Sequence, residues 1–203
     1  MIQASILNKR NRLLSDKKRV AVDTYFKMEE KATDKHEFHN GIVLKMAGAK
    51  FQHNLLAQKI ASIIDNYIDD NDLNFMVSNS DTKIRIDAFN KIVYPDAVVI
   101  CEKPSFYLGR KDTIVNPLLV VEVLSESTET HDKNTKFEYY RALDSFKEYV
   151  LISQERKQLT VYTKQEDNSW ILRDYENDDS IAILHTLQQC PVSLKRLYKG
   201  IDI

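Results

Sequence analysis

Leu118-Leu119-Val120-Val121-Glu122-Val123-Leu124, followed by Ser125-Glu126-Ser127-Thr128, is the stretch whose reading decides the fold. The apolar run is short, β-branched and bounded by Pro117 and a polar cluster, which predicts a central strand rather than a helix. Both faces of such a strand are covered, so Glu122 falls where an ionised group is costly. An acid there has to be protonated, paired with a cation or bound to a metal.

A second acid offers a partner. Tyr94-Pro95-Asp96 opens another β-rich run, Ala97-Val98-Val99-Ile100, and Pro95 suits the start of a strand because it donates nothing to a ladder. Asp96 then lies at the beginning of one buried strand and Glu122 near the end of another. If the two strands are antiparallel neighbours, the carboxylates meet at one edge of the sheet. Carboxylate and carbonyl oxygens with retained waters are what Mg²⁺ or Mn²⁺ prefers.

The third component is a lysine. A helix is expected over residues 132–143, capped by the polar residues before it. Phe137, Tyr140 and Leu143 form its apolar stripe, and Lys136 lies about 40° from the centre of that stripe. Its stem therefore runs along the core face, and its ammonium must emerge or meet an acid. Lys133 projects in a similar direction and is the second candidate. A lysine beside two metal-bound acids can orient an attacking water or neutralise charge on a phosphate. A buried Glu122–Lys136 salt bridge that needs no metal is the competing reading.

Around this centre, the 203 residues suffice for one domain with a sizeable core. Composition is ordinary for a soluble globular chain, with 43% hydrophobic and 29% charged residues, so wholesale disorder is not expected. The net charge of −1 is not that of a protein coated for nucleic acid. Residues 1–20 carry +5 of charge and leave −6 for the rest, which separates a basic N-terminal arm (1–20) from the domain proper (21–203). That arm reads as solvated. Cys101, inside an apolar strand, is expected to be a buried thiol and Cys190 incidental. No signal peptide or membrane span is evident, so a cytoplasmic protein is expected.

Other elements follow from periodicity and turn chemistry. Residues 21–31 suggest a short amphipathic helix, and Asn40-Gly41 between two β-rich runs marks a tight hairpin that carries Glu37. Leu56, Ile60, Ile63, Ile64 and Tyr67 predict a helix from Gln52 to about Asp70. Lys83, Arg85 and Asp87 alternate onto one face that is expected to be wet. Residues 103–116 read as a loop between the acid-bearing strands. Further strands are expected at 148–152, 159–163 and 170–173, and a short helix after Pro191. His53, near a helix start, reads as a packing or capping residue. His36 and His39 lack zinc spacing and a cysteine partner.

Taken in order, Glu37 before Asn40-Gly41, then His53, Tyr94-Pro95-Asp96, Val121-Glu122-Val123-Leu124-Ser125, Asp132, Lys136 and Tyr140 resemble a known pattern. It is that of the restriction endonuclease family once catalogued as domain of unknown function 820, within the PD-(D/E)XK nuclease superfamily. The resemblance spans residues 21–185. It implies an α/β fold with a restriction-endonuclease-like mixed central sheet flanked by helices, and a divalent metal at the sheet edge. It implies Asp96 and Glu122 as metal-binding acids, the Val123 carbonyl as a third ligand, and Glu37 as an additional acid. The superfamily lysine two residues after the strand glutamate is replaced here by Leu124; Lys136 fits a lysine supplied instead from the following helix. The implied activity is Mg²⁺- or Mn²⁺-dependent hydrolysis of nucleic-acid phosphodiesters, DNA before RNA, by a homodimer. The alternative, motivated by Leu124 and the weak charge, is a catalytically silent nuclease fold that binds DNA or a protein partner.

Overall fold

A computed structural model describes residues 18–126 and 129–203. Most of the basic arm therefore lies outside the described residues. Helix α1 (Val22–Glu29) buries Tyr25 and Phe26 against the hairpin formed by β1 (His36–His39) and β2 (Ile42–Lys45). At the turn, Asn40 and Gly41 both take positive φ, 49° and 90°, as a two-residue hairpin loop requires. A Cβ at Gly41 would also stand 3.1 Å from the Arg19 side chain.

Helix α2 (Phe51–Asp70) directs Leu56, Ile60, Ile63, Ile64 and Ile68 into the core at the expected spacing. The strands that follow are β3 (Phe75–Asn79), β4 (Lys83–Ile86), β5 (Lys91–Val93), β6 (Ala97–Cys101), β7 (Thr113–Ile114) and β8 (Leu119–Leu124). After β8 the chain forms a π-helical turn (His131–Lys136) continuing into helix α3 (Phe137–Tyr140). The meander β9 (Glu148–Ser153), β10 (Gln158–Lys164) and β11 (Trp170–Glu176) comes next. A hairpin of β12 (Ile181–Leu184) and β13 (Cys190–Ser193) leads into the final helix α4 (Leu194–Leu197).

Two main sheets result. One runs β2-β1-β5-β4-β7, the other β11-β10-β9-β8-β6-β3. In the second, β8 lies antiparallel to β6 and parallel to β9, so the sheet is mixed and β8 is central, as its apolar run, interrupted only by Glu122, predicts. Its side chains alternate between two cores. Leu119, Val121 and Val123 pack with α2, while Val120 and Leu124 pack with Tyr140, Phe146 and Tyr149 and with Ile84, Ile86 and Val93. Glu122 belongs by the same alternation to the second, aromatic side.

Several expectations change. Lys83 and Arg85 are buried rather than wet. The Tyr94 and Tyr107 rings lie over the ends of Lys83 and Arg85, each at 5.2 Å, and the charges meet Asp112 and Asp87 at 2.8 and 2.6 Å. Cys101 ends its strand and is exposed, whereas Cys190 is buried in the β12–β13 hairpin, which the sequence did not signal. The helix after β8 ends at Tyr140, because Ala142 and Leu143 close tighter i→i−3 bonds to Tyr139 and Tyr140. Among the described residues, no helix is long and apolar enough to cross a membrane.

A buried acid ties the hairpin to the second sheet. Glu148 on β9 is fully buried, and its carboxylate accepts from Thr163 Oγ1, Thr186 Oγ1 and the backbone N–H groups of His185 and Thr186. Glu148→Ala strands those two N–H groups and is expected to cost about 2–4 kcal/mol of stability, measured by urea unfolding at neutral pH. A second test concerns Asp112. Burial works to raise its carboxyl, but the Lys83 ammonium and the Arg110 guanidinium outweigh burial and bring it down to about 2. Its folded value lies below its unfolded one, so its contribution is present above 3.8 and is lost as pH falls towards 2. Asp112→Asn should lower stability at neutral pH and flatten that acid limb of the unfolding profile.

Candidate active site

Four elements converge on Glu122. β6 and β8 are antiparallel, with Ala97 opposite Val121, which brings Asp96 alongside the end of β8. The Asp96 N–H donates to the Val121 carbonyl at 3.1 Å, and the Val123 N–H donates to Asp96 Oδ2 at 2.7 Å. Asp96 thus brackets residue 122 from the neighbouring strand. Its other oxygen, Oδ1, is 2.9 Å from His53 Nε2 in the first turn of α2.

Glu122 is 3% exposed. Its Oε1 accepts from Lys136 Nζ at 3.0 Å and from the Tyr140 hydroxyl at 2.8 Å. The π turn carries Asp132 and Lys136 on one side, with Lys136 Nζ 3.4 Å from Asp132 Oδ1. The Tyr149 hydroxyl donates to the Asp132 carbonyl and anchors this turn onto β9. From the other sheet, Glu37 Oε1 approaches Lys136 Nζ at 4.0 Å. Glu37 is itself held: Oε2 is 2.8 Å from His39 Nε2, and Oε1 accepts weakly from the Tyr94 N–H at 3.4 Å. Lys91 Nζ lies 2.8 Å from His39 Nδ1. An ammonium has no lone pair, so Nδ1 accepts and Nε2 carries the proton that faces Glu37.

The electrostatics follow from this crowding. Burial pushes the Glu122 carboxyl well above the usual carboxylate range, against the pull of Lys136, and Asp132 and Asp96 push it further. Burial also opposes the Lys136 ammonium, yet Glu122, Glu37, Asp132 and Asp96 together hold it well above its ordinary range. Glu37 goes the other way. Burial opposes its charge, but Lys136 and His39 keep it below the usual range. One ammonium is therefore shared by four acids. This arrangement is short of positive charge.

The structure brings together Asp96, Glu122, Lys136 and Glu37. Lys133 turns away and pairs with Glu129 at 2.6 Å. Val123 meets Asp96 through its N–H. His53 departs from its reading as a packing or capping residue, since it orients Asp96. Asp132 and His39 were not singled out as site residues. Asp132 stands four residues before Lys136, and His39 two after Glu37 on the same strand face, which are local signals. His53 and Asp96 lie 43 residues apart, and nothing local connects them. Among the described residues, no group of three or more His, Cys, Asp and Glu side chains is placed to hold a metal ion.

Comparisons with known proteins bear on the family and the fold. The chain is similar to the uncharacterized protein sll1609 of Synechocystis sp., at 35% identity over 77% of this chain and 87% of the relative. It is also 30% identical to slr1290 of the same organism, over 81% of this chain and 85% of that one. A crystal structure from Anabaena variabilis, described as "a putative nuclease belonging to DUF820", superposes with a TM-score of 0.68 at 12% identity. That match covers 90% of this chain and 99% of the other, and it shows the restriction-endonuclease-like fold. The model of the Uma2 family, described as "Putative restriction endonuclease", matches residues 22–194, and the chain belongs to that family.

Proposed function

We propose that this chain is a Mg²⁺- or Mn²⁺-dependent endonuclease that hydrolyses the phosphodiester bonds of nucleic acid, DNA in the first place. The observation that carries the reading is Lys136. Its ammonium reaches Glu122 from the helix at 3.0 Å while the usual lysine position on the strand holds Leu124.

The donor set fits a hard divalent cation. Asp96 and Glu122 offer carboxylate oxygens, the Val123 carbonyl would be the third ligand, and waters complete such a shell. Two side-chain acids are fewer than a dedicated protein cage would use, as is usual where Mg²⁺ also binds substrate phosphate. The shortage of positive charge around Lys136 points the same way. A cation held there by Asp96 and Glu122 would supply neutralisation of phosphate charge and Lewis acidity towards the attacking water.

The protein's own groups have separate tasks. His53 and the Val123 N–H fix both oxygens of Asp96, and Tyr140 fixes Glu122 through Oε1. Lys136 orients the attacking water and meets charge developing on the phosphate. Glu37, held by His39 and Tyr94, keeps that ammonium charged and in place. If both strands of a duplex are cut, two such sites are needed, which a homodimer provides.

The catalytically silent reading draws on the fact that Lys136 and Tyr140 already satisfy Glu122 Oε1 without an ion. Mn²⁺ titration separates the two. Under the nuclease reading wild type binds Mn²⁺, and Asp96→Ala and Glu122→Ala lose both the ion and Mg²⁺-dependent cleavage of plasmid or single-stranded DNA. Equal Mn²⁺ binding by wild type and Glu122→Ala, or none by either, selects the silent fold. Lys136→Met gives the complementary test. It should keep nucleic-acid binding and lower the single-turnover cleavage rate about 10²–10³-fold. Cleavage at the wild-type rate would remove Lys136 from the chemistry.

A further inference from the structure

A groove of ≈ 630 Å³ runs between α2 and β3, the edge strand of the six-stranded sheet, and reaches Asp96. Asn54, Gln58 and Ser62 line its helix side, and Ser78 and Asn79 its strand side. Asp65 and Asp96 line it as well, and among the described residues no lysine or arginine does. Its amides and hydroxyls can donate and accept without preferring an anion, which suits base edges and sugar hydroxyls rather than phosphates. Ala57 and Ala61, packed onto the first core, keep the groove open for a flat group.

A second observation lies on the same helix. Phe51, the first residue of α2, is 73% exposed. At 100° per residue, Phe51, Asn54, Gln58 and Ser62 fall within about 80° of one another, so the ring heads the stripe that walls the groove. It also lies in the helical turn that carries His53, the partner of Asp96. An exposed ring offers a base a face to stack on, and the carboxylates, amides and hydroxyls of the trough can hydrogen-bond base edges. Paired bases already use their edges and faces, so they have little to offer such a groove.

We propose that the α2–β3 groove holds unpaired bases of the strand whose phosphate reaches Asp96, with Phe51 stacking on one of them. The substrate is then single-stranded or locally opened nucleic acid. This inference rests on the nuclease reading and adds the form of its substrate.

The test is fluorescence anisotropy with a labelled deoxyoligonucleotide of about 12 nucleotides, single-stranded and as a duplex. Ca²⁺ replaces Mg²⁺, since it accepts oxygen ligands in looser geometry. Wild type should bind the single strand at least tenfold tighter than the duplex. Phe51→Ala and Ser62→Phe alter exposed positions and should leave thermal unfolding unchanged. Each is expected to weaken single-strand binding about tenfold, leaving the weaker duplex binding as it was. Equal affinity for both forms, or variants that bind the single strand like wild type, overturns the groove while leaving the nuclease reading in place. Binding of neither form overturns the groove, and the Mn²⁺ titration decides the nuclease reading by itself.

Discussion

The buried contact between Glu122 and Lys136 is the constraint to which the rest of this site answers. A carboxylate in the middle of β8 is costly unless a cation reaches it, and an ammonium on the core face of a helix is costly unless an acid receives it. Each solves the problem of the other only if the segment after β8 folds back across the sheet. The π turn at His131–Lys136 accomplishes this, and it places Asp132 beside the same ammonium. Tyr140, one helical turn further on, completes the coordination of Glu122 Oε1. Fold and site are thus specified by the same few atoms.

The second sheet supplies the remainder. Glu37 arrives on a hairpin strand that belongs to the other sheet, and its carboxylate would repel Glu122 and Asp96 were Lys136 not between them. His39 and Lys91 hold Glu37 from behind through a defined tautomer. Among the described residues the result is a negatively charged centre, in which four carboxylates surround the Lys136 ammonium and Lys91 stands behind His39. A divalent ion would offset two of the excess negative charges, and a proton on Glu122 one.

What could be read from the residues depended on how local the cause was. A short, β-branched apolar run bounded by Pro117 set the β8 strand, the Asn40-Gly41 turn the first hairpin, and period-3.6 apolar spacing α2; each cause lies within about two dozen residues. Lys136 was legible because a lysine on an apolar stripe demands a partner. The Asp96–Glu122 neighbourhood was legible only conditionally, since antiparallel pairing of β6 with β8 is a non-local fact. His53 was not legible in this role because its hydrogen bond closes a loop of 43 residues. Lys83 and Arg85 misled for a related reason. Alternation with charge reads as a wet face, and the Tyr94 and Tyr107 rings that cover it come from outside that strand. The two cysteines exchanged their expected environments because strand ends and an unforeseen hairpin decide exposure.

Leu124 explains why the lysine had to come from elsewhere. Residues 122 and 124 project from the same face of β8, and at 124 that face is closed by the second core, where Leu124 is buried with Tyr149 and Leu151. An ammonium at 124 would lie in apolar packing and need its own partner. Supplied from the helix, the charge reaches Glu122 across the aromatic layer, and position 124 is free to contribute to the core. The strand then keeps its apolar continuity, which makes it central. The helix keeps the charge, and with it the need to dock against that strand.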